Sequence, residues 1–266
     1  MKHIFLFLLA IGTFNIAFAQ EPKPEDTEVW EPQPQKVTPG FIYAPPSDAI
    51  VLFDGRDLSE WQKPQFKSEK GTLKEIEQDF AAMDPNFEHG SADWLVEDGS
   101  FTVVPGTGAI ETKRKFGDMQ LHIEWLCPQS ETKTGQNYSN SGLFIMGLYE
   151  LQILNNYKSK TYANGQAGAI YKQKIPLVNA SRPPGEWQMY DVIFTAPRFN
   201  KDGSLDSPAY ITVFHNGVLV QNHVKLDGPT AYIGKTYYFM HPQKMPIRLQ
   251  DHDNPVRFRN IWVRAL

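Results

Sequence analysis

The sequence predicts an all-β domain, a sandwich or barrel of short antiparallel strands, and three observations carry that prediction. Over residues 119–127, apolar Met119, Leu121, Ile123, Trp125 and Cys127 alternate with Gln120, His122 and Glu124, the period-two pattern of a half-buried strand. Two-residue turn signals, Asp98-Gly99 and Asn216-Gly217, stand between apolar runs as hairpin connections do. After residue 93 nothing reads as a long amphipathic helix, which leaves sheets to build the core.

The elements follow in order. Residues 1–19 read as a secretory signal peptide: Lys2 and His3 give a basic start, an apolar run follows, and Ala17-Phe18-Ala19 is a small-x-small cleavage site. The run is too short to span a bilayer, which takes roughly 20 apolar residues. The expectation is therefore an exported protein, periplasmic or secreted, not inserted in the membrane after cleavage. Residues 20–48 contain seven prolines among charged residues, the composition of an extended tether. The domain proper opens at Ala49-Ile50-Val51-Leu52-Phe53 and runs to residue 266. Residues 62–92 form a polar stretch with Phe80-Ala81-Ala82-Met83 inside it and read as a long loop insert with one helical turn. Strands are then expected over 94–96, 101–104, 119–127, 142–146, 149–154, 167–173, 187–195, 210–215, 218–224, 247–250 and 256–263.

Composition excludes some classes. Twenty-six basic residues against thirty acidic ones leave no basic excess for nucleic acid. Cys127 is the only cysteine, so an internal disulfide is ruled out; its place in an apolar strand marks it as core filler. No Gly-rich phosphate loop, His-Glu-x-x-His, Cys-x-x-Cys or Gly-x-Ser-x-Gly occurs, which argues against nucleotide enzymes, zinc proteases and serine esterases.

Candidate chemistry lies on the polar faces of strands. Glu150 and Gln152 alternate with apolar Tyr149, Leu151 and Ile153, so both project from one face. A mid-strand carboxylate on an outer face is often merely solvated, but Asn140-Ser141-Gly142 and residues 165–171 surround Glu150 with small and aromatic residues. Leu249-Gln250-Asp251-His252-Asp253 forms a second cluster. There a strand-end histidine lies between two carboxylates, which would favour its protonation or metal binding. Glu124 and His122 share a strand face, and Arg257 and Arg259 offer planar donor forks in the last strand. Asp57, His89, His215, His223 and His241 read as turn or loop residues.

These segments, taken together, resemble a known family. Phe53-Asp54-Gly55-Arg56-Asp57-Leu58-Ser59-Glu60-Trp61 is similar to its opening motif, and Trp94-Leu95-Val96-Glu97-Asp98-Gly99 to its second. Asn140-Ser141-Gly142, Tyr149-Glu150-Leu151-Gln152-Ile153 and Gly168-Ala169-Ile170-Tyr171 follow in the family's order. Then come Gly185-Glu186-Trp187-Gln188, with Gln188 where asparagine is usual, Leu249-Gln250-Asp251-His252 and Val256-Arg257-Phe258-Arg259-Asn260-Ile261. The family is the 3-keto-disaccharide hydrolases, also described as 3-keto-glucoside 1,2-lyases and 3-keto-2-hydroxyglucal hydratases.

The resemblance implies a concanavalin-like jelly-roll sandwich of two curved antiparallel sheets with a site on the concave face, and an oxidised (3-keto) sugar as substrate. It implies cleavage by removal of the C2 proton and expulsion of the C1 substituent. Glu150 would be base or metal ligand, and His252 acid–base partner or ligand. Glu124, Gln152, Tyr171, Lys172, Gln250 and Arg259 would position substrate or stabilise the enolate. A divalent metal held by Glu150 and His252 stays open, because the sequence shows no tight ligand spacing. A non-catalytic carbohydrate-binding module and a scaffold domain are the alternatives.

Overall fold

The computed structural model describes residues 23–41, 44–65 and 71–266. The signal-peptide expectation lies outside the described residues. The chain divides into two units, Met1–Lys36 and Val37–Leu266. In the first, the described residues carry one 3-10 turn, Pro24–Thr27. All strands among the described residues belong to the second. In chain order they are β1 (Ile50–Phe53), β2 (Trp61–Gln62), then helix α1 (Leu73–Ala81), β3 (Leu95–Glu97), β4 (Ser100–Thr102), β5 (Ile110–Phe116), β6 (Met119–Leu126), β7 (Ser141–Ile145) and β8 (Tyr149–Ile153). The second half contributes β9 (Trp187–Thr195), β10 (Arg198–Phe199), β11 (Leu205–Ser207), β12 (Tyr210–His215), β13 (Val218–Lys225), β14 (Met245–Leu249) and β15 (Arg257–Ala265).

Two antiparallel sheets result. The larger runs β13-β12-β9-β6-β15-β4-β3, with β1 also paired to β15; the smaller runs β2-β5-β14-β7-β8, and β10 and β11 form a separate ribbon. The sheets face each other through the apolar alternates of their strands. Leu121, Ile123 and Trp125 of β6 and Phe258 and Val263 of β15 are buried with Leu143 and Ile145 of β7, Tyr149 and Leu151 of β8, and Ile247 and Leu249 of β14. This is the sandwich of the jelly-roll class, sheet packed on sheet around one core.

Turn chemistry sets the register. Asn216 and Gly217 adopt φ of 53° and 79°, the double positive-φ geometry whose twist suits a two-residue hairpin, and His215 pairs with Val218 across it. Asp98 and Gly99 do the same at 48° and 68° between β3 and β4.

The structure departs from the sequence expectation in several places: the short strands β2, β10 and β11 lie outside the expected set, and His215 and His223, read as turn or loop residues, lie in β12 and β13. Residues 167–173 make isolated bridges, Leu151 to Ile170 and Ile170 to Lys174, and fold as a turn-rich loop rather than a strand, because Gly168 and Lys172 both take positive φ. Strand β5 was not anticipated: Glu111, Thr112, Lys113, Arg114 and Lys115 break the apolar alternation, yet Glu111 is buried in pairing with Arg248. The insert holds a nine-residue helix, longer than one turn. Thr72 and Glu75 start it with a capping box, in which Glu75 N–H donates to Thr72 Oγ1 and Thr72 N–H to Glu75 Oε2.

Candidate active site

Outward-facing residues of the smaller sheet build the site. Strand pairing sets Glu111 beside Arg248, Arg248 beside Phe144 and Phe144 beside Glu150, a row across four strands on the face away from the core. One pleat along, Gly142 lies beside Gln152, and Gln250 N–H donates to Gly142 O at 3.0 Å. Glycine at 142 is a steric requirement. A Cβ there would stand 2.8 Å from Glu150 Oε1 and 2.7 Å from Phe144 Cε2, so its absence makes the space the carboxylate occupies.

Loops complete a cavity of about 260 Å³ over this row, lined by Asn140, Glu150, Gln152, Tyr171, Tyr232, Gln250 and His252. Each wall has an identifiable support. Thr230 Oγ1 accepts from Glu150 N–H at 2.9 Å, and Tyr171 N–H donates to Glu150 O at 3.1 Å, so the loops on either side are tied to the backbone that carries the carboxylate. The Gln152 amide is wedged between Gln136 Oε1 at 3.2 Å and Glu150 Oε1 at 3.0 Å. Asn140 Nδ2 donates to Gln136 O at 2.9 Å. Gln250 Oε1 is buried and has no hydrogen-bond partner among the described residues, an acceptor left for a ligand hydroxyl.

Tyr171 and Tyr162 place their hydroxyls 2.6 Å apart. Burial, reinforced by the neighbouring phenol and the Glu150 charge, pushes the Tyr171 hydroxyl well above its ordinary pKa; burial, together with that charge, also raises Tyr162. Both phenols stay protonated. One donates to the other, so the pair keeps one O–H to offer elsewhere. Gly165 is the seat for the Tyr162 ring, since a Cβ there would overlap it.

His252 reaches the cavity from the loop after β14, where Asp253 turns the chain at φ 56°. The carboxylate before it is otherwise engaged: Asp251 accepts from Gly108 N–H and Asp253 N–H, each at 3.0 Å. The histidine therefore faces the cavity rather than an Asp251 partner.

Of the residues read from sequence, Glu150, Gln152, Tyr171, Gln250 and His252 come together here. Lys172 stands just outside, its ammonium donating to Tyr232 O at 2.6 Å and lying 4.0 Å from the Tyr232 ring centroid. Glu124 and Arg259 do not belong to the cavity. They are neighbours on β6 and β15 of the larger sheet, whose inward alternates fill the core, so they project from the opposite outer face of the sandwich. There they form a closed network. Arg259 Nε donates to Glu124 Oε2 at 2.6 Å, Asn260 Nδ2 to Glu124 Oε1 at 2.8 Å, His122 Nδ1 meets Asp191 at 2.6 Å, and the Arg259 fork lies 4.0 Å over the Trp187 ring. Cys127 is buried and its thiol pushed up by burial, as core filler should be.

Sequence reasoning missed Tyr232, and it did not connect Glu111, Arg248 and His89, which approach one another beside the cavity row at 3.2 and 3.8 Å. Arg248 carried a legible signal, being two residues from Gln250 within the strand expected over 247–250 and so on the same face. Tyr232 carried none, because only the fold brings its loop there.

The donor set bears on the metal option. Among the described residues no three His, Cys, Asp or Glu side chains converge where an ion could be held. Glu150 and His252 are the two such side chains that line the cavity, with the Asn140, Gln152 and Gln250 amides beside them.

Residues 48–264 match the family model described as the 3-keto-alpha-glucoside-1,2-lyase-like domain. A crystal structure from Parabacteroides distasonis, of a protein with a provisional glycosyl hydrolase assignment, shares 46% identity at a TM-score of 0.79 over 92% of this chain and 97% of its own. A second from the same organism, with the same provisional assignment, shares 18% at a TM-score of 0.55, over 82% and 94%, and supports the fold alone. No curated protein matches.

Proposed function

The chain belongs to the 3-keto-alpha-glucoside-1,2-lyase-like domain family, and from that premise we propose that it cleaves glycosidic bonds of 3-keto sugars by elimination at C2 and C1. The observation that carries the reading is the cavity's composition. Glu150 is the one carboxylate among the described lining residues, and it is met by amides, a phenol and an imidazole. Ordinary glycosidases need two carboxyl groups flanking C1; elimination needs one base, a donor for an enolate oxygen and an acid for the leaving group.

The chemistry follows from the substrate's ketone. A carbonyl at C3 acidifies the C2 proton, which Glu150 removes. The electron pair moves onto the C3 oxygen as an enolate, which the free O–H of the Tyr162–Tyr171 pair stabilises. Collapse of the enolate forms the C1–C2 double bond and expels the glycosidic oxygen, which takes a proton from His252. The products are a 3-keto-2-hydroxyglucal and the free alcohol. Return of water across the double bond, hydroxyl to C1 and proton to C2, yields the 3-keto sugar, so elimination and hydration together amount to hydrolysis. Asn140, Gln152 and Gln250 hold ring hydroxyls, with Gln250 Oε1 as an open acceptor.

The test is turnover of 3-keto-trehalose and of a methyl 3-keto-β-glucoside followed by NMR in deuterated water. The expected result is deuterium at C2 together with released alcohol, and loss of both in Glu150→Gln. Cleavage without C2 exchange would overturn elimination, and binding without turnover would make the domain a carbohydrate-binding module.

A further inference from the structure

A second cavity of about 310 Å³ adjoins the first and shares Tyr171 as a wall; Lys172, Asp227, Ala231, Gly234 and Lys235 are among its other lining residues. Nothing in the elimination chemistry uses it. We propose that it receives the group beyond the scissile bond and prefers one that carries an acidic substituent, a carboxylate in the simplest case. This rests on the reading of the first cavity as the sugar site.

Three observations point there. The first is placement: the two cavities meet at Tyr171 and are of similar size, so a substrate bonded across C1 would occupy both. The second is charge. Asp227 is paired with Lys174 at 2.8 Å, whereas neither Lys172 nor Lys235 forms an ion pair among the described residues. The cavity therefore presents ammonium groups whose charge is not cancelled by its own carboxylate.

The third is how Lys172 is held. Its backbone takes φ 58°, a region that side-chain-bearing residues seldom occupy, and its N–H donates to Asn164 O at 2.8 Å. Its ammonium stands 5.6 Å from the Tyr171 ring centroid and 4.0 Å from that of Tyr232, at the junction of the two cavities. A strained residue with a fixed cation beside a site is better explained by use than by chance. Gly234, which lines the same cavity, has φ 83° and no atom within 4 Å of its missing Cβ, so a ligand can approach the backbone beside Lys235.

The experiment compares two substrates that differ only in charge, the 3-keto-β-glucosides of 4-hydroxybenzoate and of 4-hydroxybenzamide. At low salt the expected kcat/KM ratio is about fivefold in favour of the carboxylate, the scale of a partly exposed ion pair. It should fall towards one at 0.5 M salt and in a Lys172→Gln/Lys235→Gln double variant, while Lys235→Arg retains it. Calorimetric binding of free 4-hydroxybenzoate against 4-hydroxybenzamide reads the same preference without turnover, so a failure of the elimination chemistry leaves this test standing. Equal affinities for acid and amide, or a preference that survives the double variant, would overturn the proposal.

Discussion

Gly142→Ala tests whether the position of one carboxylate controls turnover. Ordinary contact begins near 3.4 Å, and the new methyl would start 2.8 Å from Glu150 Oε1, 3.2 Å from its Cγ and 2.7 Å from Phe144 Cε2. Something must yield by about 0.6 Å at the carboxylate, the far end of a flexible side chain. The backbone does not object, since alanine in a strand interior is better than glycine by roughly 0.5–1 kcal/mol, which offsets part of the crowding. A displacement approaching 1 Å at a reacting group costs up to about 100-fold in rate. The expected result is a kcat reduced by about 10- to 100-fold, KM changed less, and a thermal midpoint within a few degrees of the parent. Steady-state kinetics on a methyl 3-keto-glucoside, with calorimetric melting in parallel, reads both quantities. Activity within twofold of the parent would refute the reasoning, because the carboxylate would then have moved without consequence.

Other consequences are open to direct measurement. Glu150→Gln should lower kcat by about 10²–10⁴, the usual contribution of a positioned base, with melting unchanged. Tyr162→Phe should lower kcat by about tenfold while leaving KM near the parent value, because Tyr171 would lose the hydroxyl 2.6 Å away that orients its own; an unchanged kcat would remove the phenol pair from enolate stabilisation. Arg259→Met should leave KM unaltered and reduce stability, since Glu124 would keep its burial and lose a partner; denaturant titration beside kinetics separates the two effects. The same network should shape stability against pH. Burial alone would lower the His122 pKa, but Asp191 and Glu124 outweigh it and raise it. That contribution is complete below the ordinary 6.5 and disappears as pH rises through the raised value. Burial would likewise raise Glu124, but His122, Asn260 and Arg259 hold it down at about 2, so its contribution is complete above 4.5 and disappears as pH falls towards 2. The network should therefore stabilise most between these limits, and urea midpoints of His122→Asn should lose the decline towards alkaline pH while keeping the one towards acid pH, because Asn260 and Arg259 still hold Glu124 down.

What could be read from sequence divides along a physical line. Strand β6 was legible because its apolar alternates face a core and its polar alternates do not, so one face of the sandwich is written in the residue pattern. Glu150 and Gln152 were legible for the same reason. Their neighbours Tyr149, Leu151 and Ile153 had to point inward, which left the two polar side chains on the other face. Strand β5 was hidden because Glu111 owes its burial to Arg248, a partner 137 positions away, and no local pattern reports a charge neutralised at that distance. The same limit explains Glu124 and Arg259. Alternation correctly set each on an outer face, but a sandwich has two outer faces, and a single strand does not say which sheet it joins. Pairing decides it: β6 and β15 are neighbours in the larger sheet, whereas β8 and β14 flank β7 in the smaller. A polar residue's exposure is thus a local property, while membership in a site depends on strand order. Gly142 links the two levels, since its missing side chain is visible in sequence but acquires meaning only once β7 lies beside β8.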